Sequence, residues 1–229
     1  MGELVDRPPA QPPRPTVLRG RHVLLRPLRP TEDAEALYAD SHPPAAPDGL
    51  WTYLFTGPYG DVAALQGDLE EMARSEDRLF FTLARLQDER PAGIASYLRI
   101  TPDHAVIEIG NILFGVSLQR TTAATEAIYL MAAHAFDELG YRRLEWKCNA
   151  LNAPSRRAAD RLGFRFEGVF RHHMIVKGRN RDTAWYAITD EEWPAVKAGL
   201  QAWLAEANFD AQGRQRVSLA ALMAPRQRG

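Results

Sequence analysis

Ile112-Leu113-Phe114-Gly115-Val116-Ser117-Leu118-Gln119-Arg120-Thr121-Thr122-Ala123-Ala124 is the stretch that decides the fold. Its apolar half predicts a strand, and its small, hydroxylated half predicts the turn into a helix running from about residue 122 to 139. Backbone N–H groups at a helix start have no partner within the helix, and the helix dipole favours an anion there. Two interpretations follow from this stretch alone: an anion-binding turn, or a capped helix with no further role.

A second informative stretch is Asn152-Ala153-Pro154-Ser155-Arg156-Arg157-Ala158-Ala159-Asp160-Arg161-Leu162-Gly163-Phe164. A predicted strand at residues 143–148 precedes it, and residues 154–162 predict a short helix that ends at Gly163. Since a strand, a helix and another strand follow one another between Ala105 and Cys148, we expect a right-handed parallel crossover there.

Outward from these stretches, helical and strand patterns alternate along the chain. Thr31 is a candidate N-cap, and Thr189-Asp190-Glu191-Glu192 has the form of a capping box. Short turn segments join neighbouring strands as antiparallel hairpins. We therefore predict a single mixed α/β domain. The predicted strands are 23–26, 79–84, 93–100, 105–114, 143–148, 166–176 and 182–188. The first predicted helix begins near residue 30. The other predicted helices span 62–72, 122–139, 154–162 and about 189–207.

The two ends of the chain differ from this middle part. Residues 1–16 contain five prolines, which favours an extended conformation without a core. We predict a flexible leader there, with a proline-rich docking ligand as the alternative. Residues 17–208 are predicted to be the domain and residues 209–229 a basic tail. The apolar run 217–223 predicts a short docking helix in that tail, whose arginines are Arg214, Arg216, Arg226 and Arg228.

Composition excludes several classes of protein. The 229 residues carry 28 Lys and Arg against 29 Asp and Glu, a formal net charge of −1, which argues against a nucleic-acid-coating protein. Cys148 is the one cysteine, so neither an intramolecular disulfide framework nor a cysteine-cluster zinc site is expected. No apolar run is long enough for a membrane span, and the N-terminus lacks the apolar region of a signal peptide. We expect a soluble cytoplasmic protein with no metal and no membrane partner.

Taken together and in this order, the two stretches resemble the GNAT superfamily of acetyl-CoA-dependent N-acetyltransferases. Glu167-Gly168 and Asp182-Thr183-Ala184-Trp185-Tyr186 fit the branch that contains the ribosomal-protein N-terminal (alanine and serine) acetyltransferases. The resemblance covers about residues 18–190. It implies a mixed, mostly antiparallel sheet with splayed central parallel strands flanked by helices. It also implies acetyl-CoA as co-substrate and an amine acceptor, and it leaves a homodimer open.

The resemblance assigns the residues that bind the cofactor. The superfamily's phosphate loop has the form Gln/Arg-x-x-Gly-x-Gly/Ala, and Thr122 stands here where glycine is usual. By resemblance, pantetheine pairs with the strand before this loop, and Asn152 contacts the pantetheine or fixes the active-site turn. The implied loop residues are Gln119, Arg120, Thr121, Thr122, Ala123 and Ala124, and the implied strand residues are Ile112, Leu113 and Phe114.

Two residues are the catalytic candidates. By resemblance, Ser155 protonates the departing thiolate, and the alternative is an N-cap-like residue in the first helical turn. Acidic residues on the central strand serve as the base in several members of the family, which points to Glu108. The alternative for Glu108 is a structural ion pair. His172 and His173 are adjacent on a late strand, so that one faces the cleft side; either is able to relay a proton near neutral pH, but an exposed strand histidine is the favoured interpretation.

Further residues bear on the acceptor. By resemblance, the aromatic loop that contains Trp51 and Tyr53 lines the acceptor groove. Lys177, Arg179 and Arg181 are predicted to form a solvated hairpin tip, with the alternative that they face the CoA 3′-phosphate or an acidic acceptor. An α-amino group is the favoured acceptor, because its pKa of about 8 leaves more neutral amine at pH 7 than lysine at about 10.4.

Other functions compatible with the sequence are a non-catalytic acyl-CoA sensor and an enzyme acting on a small-molecule amine. A larger acyl-CoA donor such as succinyl-CoA is a further alternative. That donor needs a basic residue in the acyl pocket, which the sequence alone does not locate.

Overall fold

A computed structural model describes residues 2–223 of the chain as one sheet flanked by helices. The strands are β1 (Leu18–Arg19), β2 (Val23–Pro27), β3 (Leu79–Arg85), β4 (Pro91–Thr101), β5 (Val106–Phe114), β6 (Arg143–Asn149), β7 (Arg165–Val176) and β8 (Arg179–Thr189). The helices are α1 (Pro30–Ser41), α2 (Val62–Ala73), α3 (Thr122–Ala133), α4 (Ala153–Arg161), α5 (Trp193–Leu204) and α6 (Leu219–Met223).

The sheet has the strand order β1-β2-β3-β4-β5-β6-β8-β7. Its neighbours pair antiparallel, with the exception of the central pair β5 and β6, which is parallel. Helix α3 makes the crossover between those two strands and buries Ala127, Ile128 and Met131 in the main core. The predicted mixed, mostly antiparallel sheet with one parallel crossover is confirmed.

The central parallel strands separate halfway along their length. Their pairing runs from Val106↔Arg143 to Ile109↔Trp146, although β5 continues to Phe114 and β6 to Asn149. Past Ile109 the backbone of β5 is therefore open on the side that faces β6. This wedge is the splayed arrangement that the sequence resemblance implied.

A bulge in β5 accompanies the separation. Leu113 pairs with Ile94 and Gly110 with Ser96, so Asn111 and Ile112 lie opposite the single residue between those partners. Asn111 has a φ of +50°, in the left-handed region. An extra residue of this kind bends the strand that carries it and increases its twist, which directs the end of β5 away from β6.

Glu126 of helix α3 connects the crossover helix to the start of the sheet. Its side chain is buried and accepts hydrogen bonds from the backbone N–H groups of Arg21, His22 and Val23, at 2.9, 2.7 and 3.1 Å. Gly20 makes this approach feasible, because a Cβ built there would lie 2.3 Å from the carboxyl carbon. A buried carboxylate with three N–H donors is well satisfied.

Local predictions near helix ends were partly wrong. Thr31 is not the N-cap of α1, because the helix begins at Pro30 and Arg29 occupies the capping position. There the buried Asp33 accepts the Arg29 N–H at 2.9 Å, so that a carboxylate inside the first turn satisfies the backbone N–H of the N-cap residue. The helix predicted over 122–139 has a π-helical last turn, His134–Glu138. Helix α5 ends at Leu204 rather than near residue 207.

Both ends of the chain contact the domain. In the proline-rich leader, Arg7 forms an ion pair with Asp190, and Ala10 is buried and donates its N–H to Pro102 O at 3.1 Å. In the tail, α6 buries Leu219 and forms the short helix predicted for that run. Arg226 and Arg228 lie outside the described residues. Within residues 2–223 no helix is long and apolar enough to cross a membrane.

Candidate active site

Two adjoining cavities lie in and beside the wedge between β5 and β6. The larger has a volume of about 260 Å³ and the smaller about 90 Å³. The cavities lie here because β5 extends beyond its last pairing with β6, and because β6 leads into α4 after Asn149. The residues that line both cavities are Leu54, Phe55, Gly110, Asn111, Lys147 and Arg181.

The start of α4 forms one wall of the smaller cavity. Asn152 is the N-cap residue, and its Oδ1 accepts the backbone N–H of Ser155 at 3.1 Å. Tyr53 closes the same cavity from the aromatic loop, and its hydroxyl donates to Leu151 O at 3.1 Å. The Asn152 carboxamide thus fixes the turn that presents Ser155.

The Ser155 hydroxyl has a defined set of neighbours. Trp146 Nε1 donates to Ser155 Oγ at 3.0 Å. This bond uses a lone pair of the hydroxyl and leaves its single proton for donation, with Cys148 as one neighbour able to accept it. Cys148 also lines this cavity, and its burial raises the pKa of the thiol, an effect that a hydrogen bond with Ser155 partly offsets. Asn152, rather than Ser155, caps the helix.

The turn between β5 and α3 presents backbone N–H groups. Thr121 is the N-cap of α3, and its Oγ1 accepts the N–H of Ala124 at 3.2 Å. The amides of Arg120, Thr122 and Ala123 have no hydrogen-bond acceptor among residues 2–223. Arg120 has a φ of +59°, which few residues other than glycine adopt. Three amides without acceptors thus lie at the positive end of the α3 dipole.

The open edge of β5 also offers polar backbone groups. Gly115 donates its N–H to Ala92 O at 2.8 Å, so alternation along the ladder directs the N–H and C=O of Phe114 toward the open edge. Gln119 Nε2 donates to that Phe114 carbonyl at 2.9 Å. By the same alternation Ile112 faces the open edge with its backbone. The Leu113 side chain instead lies in a second hydrophobic cluster with residues of α1 and α2.

A chain of charges crosses the larger cavity. Glu108 is 3% exposed, and its Oε2 accepts from Arg99 Nη1 at 2.6 Å and from Lys147 Nζ at 3.0 Å. Lys147 in turn pairs with Glu145 at 2.6 Å. Glu108 Oε1 makes no hydrogen bond within the described chain, and a Cβ built on Gly110 would lie 3.3 Å from it. The face of β5 that carries Glu108 and Gly110 therefore lines the cleft.

Lys147 and Asn111 were missed by the sequence analysis. Lys147 lies 3.7 Å from the centroid of the Trp185 ring and lines both cavities. Its signal was the alternation of charged residues (Arg143, Glu145, Lys147) with apolar ones along β6, which places the three charges on one face of the strand. Asn111 donates to Ser96 Oγ at 2.9 Å and occupies the bulge. No sequence pattern marks that position, because a bulge is defined by the partner strand.

The aromatic loop is fixed from both sides. Trp51 is 4% exposed, and its Nε1 donates to Ser41 O at 2.8 Å. Lys177 Nζ donates to the carbonyls of Trp51, Thr56 and Gly57 at 3.1, 3.1 and 2.7 Å. Trp51 lines the larger cavity and Tyr53 the smaller. Lys177 is exposed, as the predicted solvated hairpin tip implies, but its ammonium group also holds the loop.

Arg181 is not solvated. Its residue is 6% exposed, its guanidinium carbon lies 4.8 Å from the centroid of the Phe55 ring, and it lines both cavities. Burial lowers the pKa of its guanidinium. Arg179, two residues earlier on β8, is exposed. Of the three basic residues in the hairpin, Lys177 and Arg179 are exposed and Arg181 is buried.

His173, rather than His172, is the histidine that lines the larger cavity. Its Nδ1 lies 2.9 Å from Thr183 Oγ1. Burial lowers the pKa of His173, and the charges of Arg99, Arg181 and Lys147 lower it further. Its neutral form, which is able to accept a proton, is therefore favoured at pH 7.

No metal centre is recognised in the part of the chain that the structure describes, where no group of three His, Cys, Asp or Glu side chains could hold an ion. The polar groups that line the two cavities include the hydroxyls of Tyr53 and Ser155, the imidazole of His173 and the paired charges of Glu108 and Lys147.

Comparisons with known proteins bear on this arrangement. Residues 22–165 match a family model described as acetyltransferase (GNAT) domain. The uncharacterized N-acetyltransferase YnaD of Bacillus subtilis is 36% identical over 87 residues, 38% of this chain and 50% of YnaD. The putative ribosomal N-acetyltransferase YdaF of the same bacterium is 32% identical over 73 residues, 32% of this chain and 40% of YdaF. The chain aligns with half or less of the length of these two curated relatives.

A solved structure covers more of the chain. The crystal structure of a GCN5-related N-acetyltransferase from Brucella melitensis superposes with a TM-score of 0.92 at 44% identity, covering 96% of this chain and 99% of that one.

Proposed function

The chain belongs to the GNAT acetyltransferase family, and on that premise we propose that it transfers an acetyl group from acetyl-CoA to a primary amine. The favoured acceptor is the N-terminal α-amino group of a protein or peptide, in keeping with the name of the relative YdaF. The observation that carries the proposal is the wedge between β5 and β6, which has free amides at one end and two cavities at its side.

The pyrophosphate of CoA is proposed to lie on the amides of Arg120, Thr122 and Ala123, which otherwise lack acceptors among residues 2–223. Pantetheine then follows the open backbone edge of Ile112 and Phe114. Thr122 keeps its amide available although it lacks the conformational freedom of glycine. This placement runs from the α3 N-terminus toward the smaller cavity, where Asn152 fixes the turn.

The transfer step requires four events. The amine loses a proton, its nitrogen attacks the thioester carbonyl carbon, the oxyanion is held, and the C–S bond breaks as the sulfur gains a proton. A backbone amide on the open edge of β5 is proposed to hold the oxyanion. Ser155 is proposed to give its proton to the sulfur, because Trp146 already occupies a lone pair of its hydroxyl. Proton transfer of this kind contributes typically about 10² to 10⁴ in rate.

Glu108 is proposed as the base, acting directly or through a water. Its Oε2 holds both cations, whereas Oε1 lies beside Gly110 at the junction of the two cavities. His173 is the second candidate, because its neutral form is favoured and it lines the same cavity. The structural role of Glu108 as an ion-pair partner is compatible with a role as proton acceptor.

Release of the CoA thiol tests the proposed function. The full chain is incubated with acetyl-CoA and a panel of peptides and small amines, and free thiol is measured over time. We expect release that depends on a primary amine and is greatest for an acceptor with a free α-amino group. Binding of acetyl-CoA without release from any amine would favour the non-catalytic sensor instead.

The pH dependence of kcat/KM is expected to separate the two candidate bases. A base acts only when deprotonated, so activity is lost as pH falls through its pKa. Because the pKa of His173 is lowered from 6.5, a His173 base predicts an acidic limb below pH 6.5. If Glu108 is the base, Glu108→Gln lowers kcat/KM and shifts the acidic limb of the pH profile. The variant His173→Gln then leaves the acidic limb in place.

Both variants are compared with one amine whose own titration is subtracted. A Glu108→Gln enzyme with native rate and native pH profile would contradict the assignment of Glu108. Loss of the limb in His173→Gln alone would transfer the role to His173.

A further inference from the structure

Arg181 is a buried cation without a partner. It has no ion pair and no hydrogen bond among residues 2–223, and its Nε is fully buried without an acceptor. Less than one tenth of the surface of Arg181 is exposed to solvent. Every other arginine or lysine that lines the cavities, namely Arg78, Arg99 and Lys147, has a carboxylate within 4 Å. The ring of Phe55 is the group that contacts the guanidinium.

Such an arrangement is costly for a folded protein. Burying a charge removes its hydration, and the loss is recovered only when an opposite charge and hydrogen bonds replace the water. The Phe55 ring offers a cation–π contact but no hydrogen-bond acceptor. An unsatisfied buried polar group in a native fold calls for an explanation, such as a catalytic role, a bound ion or an ordered water.

The charge balance of the larger cavity points the same way. Its lining contains Arg78, Arg99, Lys147 and Arg181 but only one carboxylate, that of Glu108. Glu108 already holds Arg99 and Lys147 through Oε2. The wall is therefore cationic overall, and the positive charges that lower the pKa of His173 report the same field.

The position of Arg181 relates this charge to the proposed reaction. Strand β8 pairs with β6 as far as Asn149↔Thr183, so Arg181 lies just past the end of β6, where the wedge is open. Its side chain lines the smaller cavity, proposed for pantetheine, and the larger one beside it. A group bound by Arg181 is thus close to the junction at which acyl donor and acceptor meet.

Resting on the proposed acyltransferase function, we infer that Arg181 binds a carboxylate of a substrate. The planar guanidinium matches a carboxylate through two parallel hydrogen bonds. This carboxylate has two sources. It belongs to the acceptor, as in an amino acid or an acidic peptide, or to the acyl group of a dicarboxylic donor such as succinyl-CoA. In either case the substrate of this enzyme carries a negative charge next to its reacting centre.

The test uses Arg181→Met, which keeps the length of the side chain and removes the charge, and Arg179→Met as the matched control on the same strand. The acceptor arm compares alanine with alaninamide and aspartate with asparagine, with acetyl-CoA as donor. The donor arm compares succinyl-CoA with acetyl-CoA on one acceptor.

We expect the wild type to prefer the carboxylate-bearing member of one arm. Arg181→Met should lose at least about tenfold in kcat/KM for that member, mainly through KM, and little for its neutral counterpart. Arg179→Met should retain the wild-type preference. A loss confined to the acceptor arm identifies an acidic acceptor, and a loss confined to the donor arm identifies a dicarboxylic acyl group. A preference that survives in Arg181→Met, or its absence from the wild type in both arms, would overturn the inference.

Two readouts do not depend on turnover. Titration with succinate in the presence of CoA should raise the melting temperature of the wild type and of Arg179→Met but not of Arg181→Met. The melting temperature of Arg181→Met without ligand should equal or exceed that of the wild type, because an uncompensated buried charge has been removed. If no amine releases CoA, the proposed function fails while the succinate titration still decides the role of Arg181. Equal succinate effects on all three proteins would refute it.

Discussion

Thr122→Asp is expected to weaken the binding of acetyl-CoA by about 10²-fold or more. Two unit charges 4 Å apart repel by about 4 kcal/mol at an effective dielectric constant of 20, and each 1.4 kcal/mol is a factor of ten in affinity. The introduced carboxylate would stand at the first residue of α3, where the pyrophosphate is proposed to lie. Calorimetric titration of the full chain with acetyl-CoA measures the effect.

The fold provides an internal control for this variant. An acidic residue in the first turn of a helix stabilises the helix through its dipole, so the melting temperature of Thr122→Asp should not fall. Thr122→Asn introduces a side chain of the same shape as aspartate without the charge. It should bind acetyl-CoA within a fewfold of the wild type. Equal affinities for all three proteins would place the pyrophosphate elsewhere, and no binding to the wild type would refute the cofactor proposal itself.

Ser155→Ala is expected to lower kcat by roughly 10 to 10³ with little change in acetyl-CoA affinity. Ser155 lines the smaller cavity, and the Trp146 bond uses a lone pair of its hydroxyl rather than its proton. Without it, the thiolate must take its proton from water or leave unprotonated, which raises the barrier of C–S cleavage. Steady-state kinetics with the best amine of the panel measures kcat, and calorimetry measures the affinity.

Stability measurements distinguish this role from a structural one. Asn152 supplies the helix cap, so Ser155→Ala should change the melting temperature little. Trp146→Phe keeps an aromatic ring at this position and removes the N–H donor. We expect a smaller loss of kcat than in Ser155→Ala, because the Ser155 hydroxyl remains. If kcat of Ser155→Ala is unchanged while its melting temperature drops, the hydroxyl is structural and another group protonates the sulfur.

Much of the fold was predictable because its signals are local. The parallel crossover followed from a strand, a helix and a strand in succession, which join in one hand only. Gly163 follows the end of α4 with a φ of +92°, as a C-terminal glycine does. The capping box forms only in part: Glu192 Oε2 accepts the Thr189 N–H at 2.9 Å, but the helix begins at Trp193 with Glu192, not Thr189, at the N-cap position. Such features depend on residues a few positions apart.

The site was only partly predictable. Glu108 was located on the central strand, yet which face lines the cleft required the neighbouring strands. The interpretation as a solvated tip failed for Arg181 for the same reason, and for the exposed Lys177 it omitted the contacts of the ammonium group. Lys177 contacts carbonyls more than 100 residues earlier in the chain, and Phe55 covers Arg181 from that same loop. The sequence of the hairpin does not indicate which distant segment packs against it.

The sequence by itself determined the family, the order of elements and the turn whose amides lack partners, because backbone hydrogen bonding and side-chain periodicity act over a few residues. The tertiary structure alone decided where the central strands part, how deeply Arg181 is buried and which charges remain unpaired. Those properties depend on the register of β4 against β5 and on the loop that Lys177 holds. Burial and electrostatic pairing are properties of surroundings assembled from distant segments, and they decide what the site is able to bind.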